Sequence, residues 1–137
     1  MANKGTLLYG NMDKGSADTS GAVQFITKLL EAVTTIHKVH LMTTGPGSFA
    51  AHEALGEVYG NLEDGLDNLA ESYMGCTKNA ITFEGVETAS YSDEVRKIYD
   101  FIEANRGMMG PESHIQNLID EILDQLARDL FKLDRLA

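Results

Sequence analysis

At 137 residues, with 43% apolar and 23% charged residues, the chain has the size and composition of one soluble globular domain. Its 21 acidic against 11 basic residues leave a formal charge of −10, which opposes non-specific attraction to nucleic acid or anionic lipid, because neutralising phosphate needs clustered Lys and Arg. The apolar runs are too short for a membrane span and the N-terminus has no apolar leader, so neither a transmembrane helix nor a secretory signal is predicted.

Residues 1–19, rich in Gly, Asn, Ser and Asp, are expected to form a loose, flexible N-terminal arm; docking of its apolar patch Leu7-Leu8-Tyr9 on a neighbouring subunit is the less favoured alternative. Residues 20–137 form the folded domain. From about 20 to 42, Val23, Phe25, Ile26, Leu29, Leu30, Val33, Ile36 and Val39 recur mostly at steps of three and four, which predicts an amphipathic helix. Gly45-Pro46-Gly47 stops it, and Ser48 is placed as the N-cap of a second helix. That helix runs to about Gly75 and carries Leu55, Val58, Tyr59, Leu62, Leu66, Leu69 and Tyr73 on one face. A linker over 75–91 follows, with Ile81, Thr82 and Phe83 as a short packed segment.

A third, shorter helix is predicted from Ser92-Asp93-Glu94-Val95 to Arg106-Gly107. The fourth runs from Pro111 to about Leu136, with Ile115, Leu118, Ile119, Ile122, Leu123, Leu126, Leu130 and Leu133 inward. Four amphipathic helices predict an all-α four-helix bundle, with the long linker crossing between the second and third helices. The lone Cys76 cannot pair internally, which fits a reducing, cytoplasmic setting.

Two histidines flank the Gly-Pro-Gly turn: His40 ends the first helix and His52 opens the second. Each residue advances a helix by about 100°, so Glu63, Asp67 and Glu71 fall at roughly 20°, 60° and 100° from His52, along the shoulder of the apolar stripe. Asp67 and Glu71 are one turn apart and can face the same point. Imidazole combined with hard carboxylate oxygens suits iron, manganese or zinc. The bland reading of the same pattern is a solvated acidic edge. His37 lies three residues before His40 and shares its face, whereas His114 reads as a solvent-exposed or capping side chain. The Glu-x-x-His motif of di-iron bundles is absent, which argues against a metal centre inside the bundle.

His40, Gly45-Pro46, Phe49, His52-Glu53, Asp67 and Ala70-Glu71 together resemble the pattern of the Dps proteins, the mini-ferritins. The likeness covers roughly residues 20–74 well and the fourth helix more loosely. It implies a ferritin-like four-helix fold and a homo-oligomer, at least a dimer and up to a dodecameric cage. It also implies a ferroxidase site between subunits, with His40 and His52 from one chain and Asp67 and Glu71 from its partner, and Glu63 and His37 as further candidate ligands. The expected substrate is Fe(II), as a pair or a single ion, oxidised by peroxide or oxygen and stored or detoxified; zinc and manganese are the alternative ions. The sequence departs from the pattern at Gly56, where the family has an Asp ligand, at Leu41 in place of Trp, and in lacking the basic tail that members use on DNA. DNA binding is therefore not expected, nor is membrane association. The other class of function compatible with these residues is a ferritin-like assembly protein whose metal site has decayed.

Overall fold

The computed structural model describes residues 18–87 and 92–136. Residues 1–17, with the predicted arm and its Leu7-Leu8-Tyr9 patch, lie outside the described residues. Among those described, the fold is all-α, with four α-helices and no strand: α1 (Ser20–Met42), α2 (Ser48–Thr77), α3 (Asp93–Asn105) and α4 (Ser113–Arg135), plus a 3₁₀ turn over Arg106–Met109. None of these helices is long and apolar enough to cross a membrane. The chain divides into two compact units, 1–85 and 86–137. Each is a helical hairpin.

In the first hairpin α1 packs on α2, with Ile26 and Leu66 as its buried residues. The connection is tight because two glycines take backbone conformations that a side chain disfavours: Gly45 has φ 95° and Gly47 φ 78°. Gly47 occupies the N-cap position, so α2 begins at Ser48 itself and Ser48 is not its cap. The helix outlasts the predicted end at Gly75 by two residues. Lys78 then closes it in the left-handed conformation, its N–H donating to the Met74 carbonyl at 2.9 Å. Beyond it Ile81 and Phe83 are half-buried while Thr82 is exposed.

Ile119, Leu123 and Leu130 of α4 are the buried residues of the second hairpin, where α3 packs on α4. The predicted start of α4 at Pro111 moves to Ser113. The predicted fading of α3 at Arg106-Gly107 is the switch into the 3₁₀ turn.

Several residues assigned to the inward stripes face away from the hairpin partner. Phe25, Leu30 and Val39 of α1, Val58 and Leu69 of α2, and Leu118 and Ile122 of α4 are each 42–61% exposed within the chain. The stripes are wider than contact with one helix can cover. The period located the apolar face, but not which half of it meets the hairpin partner.

Candidate metal centre at the first hairpin turn

His40 lies in the last turn of α1 and His52 in the first turns of α2, and the Gly-Pro-Gly connection folds one against the other. The imidazoles stack with centroids 3.7 Å apart and planes 25° from parallel. Nδ1 of His40 lies 2.8 Å from the backbone oxygen of His52, and Nδ1 of His52 lies 3.0 Å from the backbone oxygen of His40. A carbonyl oxygen can only accept, so in both rings Nδ1 carries the hydrogen and donates it. In the neutral state each Nε2 therefore holds a lone pair. This is the arrangement by which proteins orient a metal-ligating histidine: one ring nitrogen donates to a carbonyl and the other is left for the ion. The bonds serve the backbone too. The His40 carbonyl belongs to the last turn of α1, where intrahelical donors run out; it also accepts from the Thr43 N–H at 3.4 Å.

Two further rings extend the cluster. His37 stacks on Tyr59 with centroids 4.1 Å apart, and Tyr59 meets His40 edge-on at 5.4 Å. His37 and His40 are edge-on at 6.0 Å. Tyr59 was legible in the sequence only as one more member of the apolar stripe. Its place among the imidazoles depends on how α1 and α2 cross.

Gly56 is half-buried beneath this group. A Cβ built there would lie 3.3 Å from Cε1 of His40 and 3.6 Å from its Nδ1. The residue without a side chain thus leaves room for the His40 ring.

The carboxylates lie elsewhere. Glu63, Asp67 and Glu71 are exposed on α2, eleven, fifteen and nineteen residues beyond His52. At about 1.5 Å per residue these are roughly 16, 22 and 28 Å along the helix axis. No single ion can be held by both Nε2 atoms and Asp67 or Glu71 of the same chain. Accordingly, among the described residues no group of three or more His, Cys, Asp or Glu side chains comes together around a potential ion. Cys76 is exposed near the end of α2, and His114 is exposed in α4.

The second hairpin has a polar cluster of a different kind. Arg106 donates from Nε to Oε1 of Gln116 at 2.8 Å, and from a terminal nitrogen to the Gln116 carbonyl at 3.1 Å and to Asp120 at 2.5 Å. Gln116 returns bonds from Nε2 to the carbonyls of Arg106 at 3.0 Å and Gly110 at 2.8 Å. The hydrogen bond to Asp120 is the main cause of the raised Arg106 pKa. The donors of Arg106 and Gln116 are spent on their neighbours, so the cluster closes a turn.

The described residues are thus all-α, and the turn between α1 and α2 carries two preoriented imidazoles. By its sequence it belongs to DUF5856, a family of unknown function, whose pattern it matches over residues 40–133. That span starts at His40 and takes in His52, Gly56, Glu63, Asp67 and Glu71. No curated protein and no solved structure matches the chain.

Proposed function

We propose that the chain is a Dps-like iron-binding protein that oxidises Fe(II) at a site shared between two subunits and stores or detoxifies the product. The observation that carries this reading is the reciprocal His40–His52 clasp, which directs both Nδ1–H groups into backbone carbonyls and leaves both Nε2 lone pairs for an ion. The resemblance of His40, Gly45-Pro46, Phe49, His52-Glu53, Asp67 and Ala70-Glu71 to the mini-ferritin pattern supports iron as the substrate. The distance along α2 supports a shared site: Asp67 and Glu71 are out of reach of their own histidines, whereas an antiparallel second copy brings its carboxylates to them. The second copy belongs to a ferritin-like four-helix bundle in this reading, with the segment between α2 and α3 as the crossover.

Each Fe(II) gives up one electron, so two ions and two protons reduce one hydrogen peroxide to two waters. Neutral imidazoles bind the divalent ion without adding charge, and the carboxylates of the second copy offset the charge gained on oxidation.

Adding Fe(II) anaerobically, then peroxide, and following ferric absorbance tests the reading. Oxidation faster than in protein-free buffer, abolished by His40→Ala or Asp67→Ala, is expected. The shared site has a sharper signature. When the two inactive variants are mixed and allowed to reassort, half the dimers are mixed and one of their two sites is intact, so roughly a quarter of the wild-type rate returns. No recovery on mixing, with reassortment verified by mass, would sink the shared site.

A second reading is favoured by Gly56, which supplies no ligand, and by the exposed apolar side chains of α1 and α2. It makes the chain a ferritin-like assembly protein with a degenerate site. Assembly indifferent to metal and to His40→Ala, with no oxidation above buffer, would favour it.

A further inference from the structure

We infer that Gly56 is a positioning residue of the histidine site: the space left by its missing side chain is the seat of the His40 ring, so a carboxylate introduced there would unseat a ligand instead of adding one. The inference rests on the reading of His40 and His52 as metal ligands given above, and it reverses what the resemblance to the mini-ferritins implies, namely that Gly56 is simply a lost Asp.

Three observations carry it. The first is the approach itself. A Cβ on residue 56 would stand 3.3 Å from Cε1 of His40, closer than ordinary van der Waals contact, and 3.6 Å from Nδ1. The second is that the ring cannot easily withdraw. Its Nδ1 is tied to the His52 carbonyl at 2.8 Å, one face is stacked on His52 at 3.7 Å, and the Tyr59 ring abuts it edge-on at 5.4 Å. A ring that retreats from a new Cβ stretches the bond that holds the hydrogen on Nδ1, and with it the preference that leaves Nε2 bare.

The third observation is a contrast along the same helix. A Cβ at Gly60, also half-buried in α2, meets nothing within 4 Å, and neither does one at Gly65. Glycine inside a helix is otherwise a cost, since alanine loses less backbone entropy on folding. At Gly60 and Gly65 no steric contact opposes a side chain; at Gly56 the His40 ring does.

The consequence is chemical. This chain's own half of the site is two imidazoles with no carboxylate, held in one tautomer by reciprocal carbonyl bonds. Such a nitrogen-only pair suits borderline divalent ions, and Co(II) is a spectroscopically visible member of that class.

Three variants decide the matter: Gly56→Ala, Gly56→Asp and, as control, Gly60→Ala. Long-range ¹H–¹⁵N correlation spectra of the metal-free chain read the tautomers directly. His40 and His52 of the wild type and of Gly60→Ala are expected as Nδ1–H forms, whereas Gly56→Ala moves the His40 signals toward a mixture. Gly60→Ala raises the melting temperature and Gly56→Ala does not. Co(II) affinity falls about tenfold or more in both Gly56 variants, the usual scale for losing an orienting partner, and is unchanged in Gly60→Ala. If Gly56→Ala keeps the His40 tautomer and melts like Gly60→Ala, or if Gly56→Asp binds Co(II) more tightly than wild type, the inference is overturned. Absence of Co(II) binding by the wild type would instead defeat the metal reading, and the spectra and melting curves would still decide the role of Gly56.

Discussion

The two hairpins are closed by the same device with opposite remainders. At the turn between α1 and α2, His40 and His52 each donate to the other's backbone carbonyl. At the turn between α3 and α4, Arg106 and Gln116 each donate to the other's carbonyl as well. In each pair one carbonyl, that of His40 in the last turn of α1 or of Arg106 just after α3, stands where intrahelical donors run out. Guanidinium and amide groups, however, carry enough donors to bond several neighbours at once, and here they do. An imidazole has only two nitrogens. Once Nδ1 is committed, Nε2 is left over. A turn closed with arginine and glutamine is finished, whereas one closed with two histidines still has chemistry to offer.

Breaking each half of that comparison gives effects of descending size. The largest are expected in the buried cores of the two hairpins, well along the helices from the clasps. Leu66→Ala in the first hairpin and Leu130→Ala in the second, each 4% exposed, should each cost about 2–4 kcal/mol in urea denaturation. Equal losses would put the difference between the hairpins in the turns alone.

Next comes the closed clasp. Gln116→Ala removes the bonds to the carbonyls of Arg106 and Gly110 and the acceptor for Nε of Arg106, with a cost of about 1–3 kcal/mol. Added metal should not change that figure.

The histidine clasp should respond differently. A double-mutant cycle of His40→Ala and His52→Ala is expected to give a coupling of about 0.5–1 kcal/mol without metal, from the ring stack, since both hydrogen bonds run to backbone carbonyls that alanine keeps. If the pair is the proposed metal site, saturating Co(II) should raise it, because only the doubly intact pair would bind the ion well. A coupling that ignores metal would make this turn as closed as the other.

The smallest effects belong to exposed contacts. The Asp124–Arg128 ion pair on α4 is exposed on both sides, so Arg128→Ala should change stability by less than about 0.5 kcal/mol. Asp18 accepts the Ser20 N–H at 2.9 Å, and that bond lowers its pKa. A depressed carboxylate adds stability above its unfolded pKa and loses it as pH falls through the folded one. An NMR titration should therefore find Asp18 below the ordinary aspartate range, and Asp18→Asn should flatten only the most acidic end of the stability profile.

Much of this architecture was legible in the residues. The three- and four-residue apolar period located α1 to its ends, and Gly45-Pro46-Gly47 marked the break that brings His40 to His52. Such signals are local: a helix is written by its own side chains, and a turn by its glycines. The orientation of the imidazoles was not legible. Which ring nitrogen faces a carbonyl depends on the crossing of α1 and α2, and the partners stand twelve residues apart across a turn. The same holds for Tyr59, which periodicity enrols in the stripe, and for Phe25, Val58 and Ile122, whose apolar character does not reveal which side of a wide face meets a neighbour.

Gly56 marks the boundary most clearly. By itself the sequence determined that no ligand could stand there, since glycine has no side chain. Only the tertiary structure decided that the gap is filled, because the His40 ring arrives from another helix to occupy it. Residue chemistry fixes what a position can donate, and packing fixes what an absent side chain makes room for.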